Sequence, residues 1–130
     1  MADSSSESVV RAMIAAIDEQ DSIALKAHPG LYETVQHIPM IWAAFPDARH
    51  TIERQFSASD MVATCAIVRG THQGPFLGVA PTGKPVEFMV LMIDQVADGK
   101  IVLHYAIPDL FSLLAIVGML PTPGPVPAHA

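Results

Sequence analysis

Apolar residues in the first third of the chain recur at helical spacing. Val9, Val10, Met13, Ile14 and Ile17 share one face of a helix predicted over Glu7–Glu19. Ser5 or Ser6 fits its N-cap, and Glu7 sits near its positive end. Residues 1–6 read as a disordered tail. A short second turn is predicted over Ser22–Ala27, ended by His28-Pro29-Gly30. Leu31, Val35, Ile38, Ile41, Trp42 and Phe45 mark a further helix. Pro39 lies inside that pattern, removes one backbone hydrogen bond and predicts a kink or a restart.

From residue 49 the pattern changes to strands. Arg49–Ser57 and Met61–Gly70 are separated by the Ser59-Asp60 turn signal. Gly74–Lys84, with its glycines and prolines, reads as a long connection. Val86–Val96 is a strong, nearly continuous apolar strand. Asp98-Gly99 is the best hairpin turn in the chain, and Ile101–Ile107 is the return strand. Leu110–Leu120 is predicted to be a short apolar helix. Pro121, Pro123, Pro125 and Pro127 make 121–130 a flexible or extended tail. Helices followed by a run of strands predict the α+β class, a curved antiparallel sheet with helices on one face. A strongly bent sheet covered by helices leaves a cone-shaped cavity suited to a small ligand.

Composition narrows the function classes. The chain has 130 residues, 51% hydrophobic and 15% charged, enough for one domain with a real core over 7–120. Net charge is −6 with 7 dispersed Lys and Arg, so nucleic acid is not an expected partner. Cys65 stands alone, which excludes an intrachain disulfide. The polar start MADSSSES lacks the order of a signal peptide, and the apolar run at 110–120 is shorter than the roughly 20 residues that span a bilayer. A cytoplasmic location and no membrane contact are the expectation.

The order and spacing of several short pieces resemble the SnoaL-like polyketide cyclases, within the nuclear transport factor 2-like superfamily. These pieces are Phe45-Pro46-Asp47, Arg69-Gly70-Thr71-His72-Gln73-Gly74, Phe76-Leu77-Gly78, Pro81-Thr82-Gly83, Asp98-Gly99-Lys100-Ile101 and finally Asp109. The resemblance covers most of residues 7–121. It implies a cone-shaped α+β barrel around an apolar pocket, often dimeric through the outer face of the sheet. The chain departs from the family pattern in a short Asp21–His28 stretch. It also has Tyr105 and Pro108 where tryptophans are usual, and an almost wholly apolar last helix.

Asp109 is the main chemical candidate. It follows an apolar strand and precedes an apolar helix, surroundings that would desolvate a carboxylate and raise its pKa. It is equally well placed to cap that helix, and a strong cap bond would keep the pKa low. The resemblance assigns it the acid/base role. Strand parity puts Tyr105 on the side of 101, 103 and 107, and on the side of Asp109 if that parity continues. Tyr105 is then expected to contact substrate and His104 to point away. Asp94, on the face of Phe88 and Met92, is expected to line the pocket, because an unpaired charge among Val, Leu, Met and Ile is costly. His37, Trp42, Met40, Phe88 and Met92 complete the expected substrate surface, while His72 is expected to be structural. No HxH or HExxH spacing links the histidines and no phosphate-binding loop is present, so neither metal nor cofactor is expected.

The resulting expectation is a cofactor-free cyclase of secondary metabolism that closes a ring in an apolar, polyketide-like small molecule by aldol-type acid/base catalysis. The alternatives on the same fold are an epoxide-opening or pyran-forming cyclase, a hydroxylase, or a non-catalytic binding module. A homodimer is expected, because Met89, Leu91 and Ile93 occupy the face of their strand opposite the cavity.

Overall fold

A computed structural model describes residues 4–118. Its elements are α1 (Ser4–Asp18), α2 (Ser22–Lys26), a single 3-10 turn (Pro29–Leu31), α3 (Tyr32–Ala44), β1 (Arg49–Ala58), β2 (Met61–Thr71), β3 (Pro85–Ala97), β4 (Lys100–Pro108) and α4 (Leu110–Ile116). The first helix begins earlier than its apolar stripe. Ser4–Ser6, expected in a tail, are helical, and Ser6 is buried. The last helix ends at Ile116, with Val117 as its C-cap and Gly118 at positive φ, short of the expected Leu120. Residues 1–3, 119–120 and the proline-rich 121–130 lie outside the described residues. Asp21 caps α2 by accepting the Ala24 N–H at 3.1 Å. Helix α3 runs through Pro39 as one element, so the helix does not restart there.

The four strands form one antiparallel sheet in the order β1-β2-β3-β4. Asp98 and Gly99 both have positive φ, the conformation a two-residue hairpin turn requires. Along β3 burial alternates, with Val86, Val90, Met92, Asp94 and Val96 buried and Glu87, Met89, Leu91 and Ile93 exposed. The inner face packs against Val10, Met13, Ile14 and Ile17 of α1 and against Leu25 and Leu31. A second cluster joins Phe45, Phe76 and Val86 to Leu113 and Val117 at the α4 end. The sheet is curved rather than closed, and with its helices it gives the α+β cone expected from the sequence.

One irregularity sets which side chains of β4 face inward. On β4, Leu103 pairs with Gln95 and Ile101 with Val96, so Val102 is an extra residue, a β-bulge. The bulge reverses the alternation, and Ile101 and His104 both face inward while Tyr105, opposite Ile93, faces outward. The 3-10 turn presses against this point. A Cβ on Gly30 would lie 2.6 Å from the Val102 carbonyl carbon and 2.7 Å from the Leu103 nitrogen, so only glycine allows the approach.

Among the described residues, no helix is long and apolar enough to cross a membrane.

Candidate active site

The concave face of the sheet, α1, α3 and the start of α4 enclose a cavity of about 550 Å³. That volume lies in the ordinary range of small-molecule sites. Its wall is mainly apolar. Ile38, Met40, Ile41 and Trp42 come from α3, Val68 from β2, Phe88, Val90 and Met92 from β3, and Leu110 and Leu113 from α4. Trp42 is fixed by donating from its indole N–H to the Ile17 carbonyl at 2.9 Å.

Two histidine–aspartate pairs interrupt the apolar wall. On β4, His104 lines the cavity, and its Nδ1 lies 2.6 Å from Asp94 Oδ1 on β3. The pair is deeply enclosed, with side-chain exposures of 6% for His104 and 0% for Asp94. A carboxylate can only accept, so Nδ1 carries the hydrogen and Nε2 is the ring nitrogen left to act as an acceptor. The other Asp94 oxygen is buried without a partner. At the start of β1, His50 Nδ1 lies 2.7 Å from Asp18 Oδ1 at the end of α1, and both residues line the cavity. His37, Glu33 and Thr34 add polar groups from α3.

The expected contact residues divide clearly. His37, Met40, Trp42, Phe88 and Met92 are in the wall. Asp94 is not in the wall but directly behind it, reaching the cavity through His104. Tyr105 touches the cavity rim but is largely exposed on the outer side of β4, because the bulge breaks the assumed parity. The same bulge overturns the expectation that His104 points away.

Asp109 lies between two lining residues, Pro108 and Leu110, but is itself outside the wall and exposed. Its carboxylate accepts from the Ser112 hydroxyl at 2.6 Å and the Ser112 N–H at 3.1 Å, capping α4. These two bonds, hydroxyl first, hold its pKa below the usual carboxylate value. The expected desolvation and raised pKa are therefore corrected: the whole β4–α4 junction, residues 105–111, is exposed, and Asp109 lies on the solvent side with it.

His72, expected to be structural, lies outside the cavity wall. It is fully buried, its Nδ1 accepts the Thr82 N–H at 3.2 Å, and its ring packs beside Phe45. His28 is used as a clamp. Its Nδ1 accepts the Ile101 N–H at 3.0 Å, and burial pushes its pKa down, with nearby Lys100 adding to the effect and Asp94 opposing it. Among the described residues, no group of three or more His, Cys, Asp or Glu comes together as metal ligands.

Sequence reasoning missed His50, Asp18 and the inward His104. One signal was available for His50: it shares strand parity with the apolar Ile52.

The family model of the SnoaL-like polyketide cyclases matches residues 6–116. The chain belongs to the SnoaL-like polyketide cyclase family. Solved structures agree with the membership. AclR from Streptomyces galilaeus, a candidate hydroxylase, is 28% identical with a TM-score of 0.83 over 95% of this chain and 85% of its own. IdmH from Streptomyces antibioticus, a candidate polyketide cyclase, is 28% identical with a TM-score of 0.74 over 87% of this chain and 98% of its own. A SnoaL-like protein from Jannaschia, at 20% identity and a TM-score of 0.80 over 91% of this chain and 94% of its own, shares the fold. No curated protein sequence matches this chain.

Proposed function

We propose that this protein is a small-molecule cyclase that closes a ring in a polyketide-like substrate by acid/base catalysis in the cavity, with His104 as the proton-transfer group. The observation that carries the reading is the buried Asp94–His104 pair, whose imidazole is part of a mainly apolar wall. Asp94 fixes the ring and its tautomer, which leaves the Nε2 lone pair of the neutral imidazole towards bound substrate. In an aldol closure, a methylene C–H flanked by carbonyls breaks and its proton goes to Nε2. The electron pair forms the new C–C bond to an acceptor carbonyl carbon, and the resulting alkoxide takes the proton back from the imidazolium. The apolar walls fold the flexible substrate so that the two carbons meet.

This reading moves the acid/base role that the resemblance implies for Asp109 to His104. An exposed carboxylate held ionised by its cap bonds is a weak base and a poor acid near neutrality. Asp109 instead anchors α4, whose Leu110 and Leu113 cover the cavity.

The test uses an aryl β-keto ester carrying an ortho acetyl arm. Wild-type protein is expected to speed deuterium exchange at the methylene and to yield the ring-closed product, read by NMR. His104→Gln is expected to lose both by about a hundredfold or more. An unchanged rate in folded His104→Gln, with loss in Asp109→Asn, returns the role to Asp109.

A hydroxylase is the second reading, favoured by the likeness to AclR. Product analysis separates them: ring closure forms a C–C bond, whereas hydroxylation adds an oxygen atom.

The protein is also proposed to act as a homodimer paired through the outer sheet face, where Met89, Leu91, Ile93 and Ile107 lie exposed.

A further inference from the structure

The cavity has a second histidine–aspartate pair at some distance from the first. Sheet register gives their separation. His50 lies in the row of Val68 and Phe88, while His104 lies in the row of Asp94. Phe88 and Asp94 are six positions apart on β3, about 20 Å of strand backbone before the side chains reach inward. Val90, Met92 and Trp42 make the stretch between them apolar.

The Asp18–His50 contact is more than a tether between α1 and β1. Arg49 already donates to the Asp18 carbonyl at 2.7 Å, and the His50 backbone N–H donates to Asp18 Oδ2 at 2.9 Å. Those two bonds hold the helix end to the strand. The additional bond from Nδ1 to Oδ1 fixes the imidazole plane and tautomer, and leaves Nε2 as the ring nitrogen available to a ligand in the cavity that His50 lines. The ring is mostly enclosed, with 11% of its surface exposed. Asp18 also closes α1 with a carboxylate at the negative end of the helix dipole, a place that local helix energetics disfavour.

We infer that His50, positioned by Asp18, is a second polar anchor for the ligand. The ligand is an elongated apolar molecule with a phenolic or enolic oxygen at each end, one for His104 and one for His50. The inference rests on the cavity being the substrate site proposed above. His50 reads the remote oxygen and thereby sets which substrate carbon arrives at His104. A molecule polar at one end only would leave one imidazole facing an apolar surface, which weakens its binding.

Trp42 is the only tryptophan and lines the cavity, so its fluorescence reports occupancy directly. The probes are 2,6-dihydroxyanthraquinone and 2-hydroxyanthraquinone, titrated against the full chain. The diol is expected to quench Trp42 and bind about tenfold more tightly than the mono-hydroxy compound. It is also expected to move the 15N resonance of His50 Nε2. His50→Phe, and His50→Gln should the first variant fail to fold, are expected to bring the diol down to the affinity of the mono-hydroxy probe. Equal affinities in the wild-type protein, or a diol preference kept in the folded His50 variant, overturn the second anchor alone. Binding of neither probe, with no quenching of Trp42, overturns the cavity as a site for polyketide-like molecules and the anchor together. Keto-ester exchange that depends on His104, combined with equal probe affinities, leaves the cyclase reading standing and removes only His50.

Discussion

His104 meets Asp94 across the β3–β4 ladder because Val102 is an extra residue between Ile101 and His104. Without the bulge, the inward Ile101 would put His104 on the outer face with Met89 and Leu91. The buried carboxylate would then have no partner. The bulge, the glycine that packs on it and the pair inside it form one unit.

His104→Gln is therefore expected to remove catalysis while keeping most of the fold, since glutamine fills much of the same space. Asp94→Asn should cost less activity, because an amide oxygen still accepts from Nδ1. Asp94→Leu leaves the imidazole without its orienting partner and is expected to approach the loss in His104→Gln. Initial rates with the keto-ester probe, alongside circular dichroism, check the order. Wild-type activity in all three variants would remove the pair from the mechanism.

Gly30→Ala is expected to destabilise the protein by about 2 kcal/mol or more, because the new methyl group meets strand backbone rather than a movable side chain. The effect should extend to chemistry. Displacing Val102 and Leu103 shifts His104, so activity per folded molecule should fall as well. Denaturant melts and specific activity measured together separate these two losses. A variant as stable as the wild type would show that the turn yields easily.

Much of this arrangement was legible in the chain. The 3.6-residue stripe gave the core face of α1, the alternation in β3 gave its inner and outer faces, and Asp98-Gly99 gave the hairpin. The bulge was not legible. It coincides with the close approach of the Gly30 turn to the β4 backbone, a contact between segments distant in sequence. Parity counted from Ile101 therefore assigned His104 and Tyr105 to the wrong faces. Asp18 and His50 are likewise joined only by the fold. Asp109 was read correctly as a possible cap, but its exposure is that of the whole β4–α4 junction, which only the fold sets.

Acid stability should reflect three groups whose folded pKa values are lowered. Asp109 is held down by Ser112, and Asp47 first by its side-chain bond from Thr71, with the Thr71 N–H adding to it. A carboxylate with a depressed folded pKa stabilises the protein above its unfolded pKa, near 3.9, and loses that contribution as pH falls through the folded value. His28 has the same sign for a different reason. Burial disfavours its charged form, so the unfolded chain takes up its proton first, and stability declines as pH falls below about 6.5. Thermal melts from pH 8 to pH 3 should show a shallow early decline and a steeper one below about pH 4. His28→Gln should flatten the early decline. A flat profile down to pH 4 in the wild-type protein would rule out the His28 contribution.

The outer sheet face gives the last prediction. Leu91 is 50% exposed, beside Met89 and Ile93 on the same strand and Ile107 on the next. These side chains form a contiguous apolar surface because β3 and β4 are neighbours and their outward positions pair across the ladder. Strand alternation would ordinarily place polar residues there, as it does at Glu87 at one end of β3. In the proposed dimer, a second copy of the same face is expected to cover this patch through a two-fold axis and to leave the cavity on the opposite side of each sheet open to ligand. Light scattering at micromolar concentration is expected to give twice the mass of one chain. Leu91→Lys puts a charge at the centre of that surface and is expected to yield monomers that remain folded, because the side chain points away from each chain's own core. A wild-type protein that scatters as a monomer would overturn the dimer. A Leu91→Lys protein that remains dimeric would move the interface off this strand.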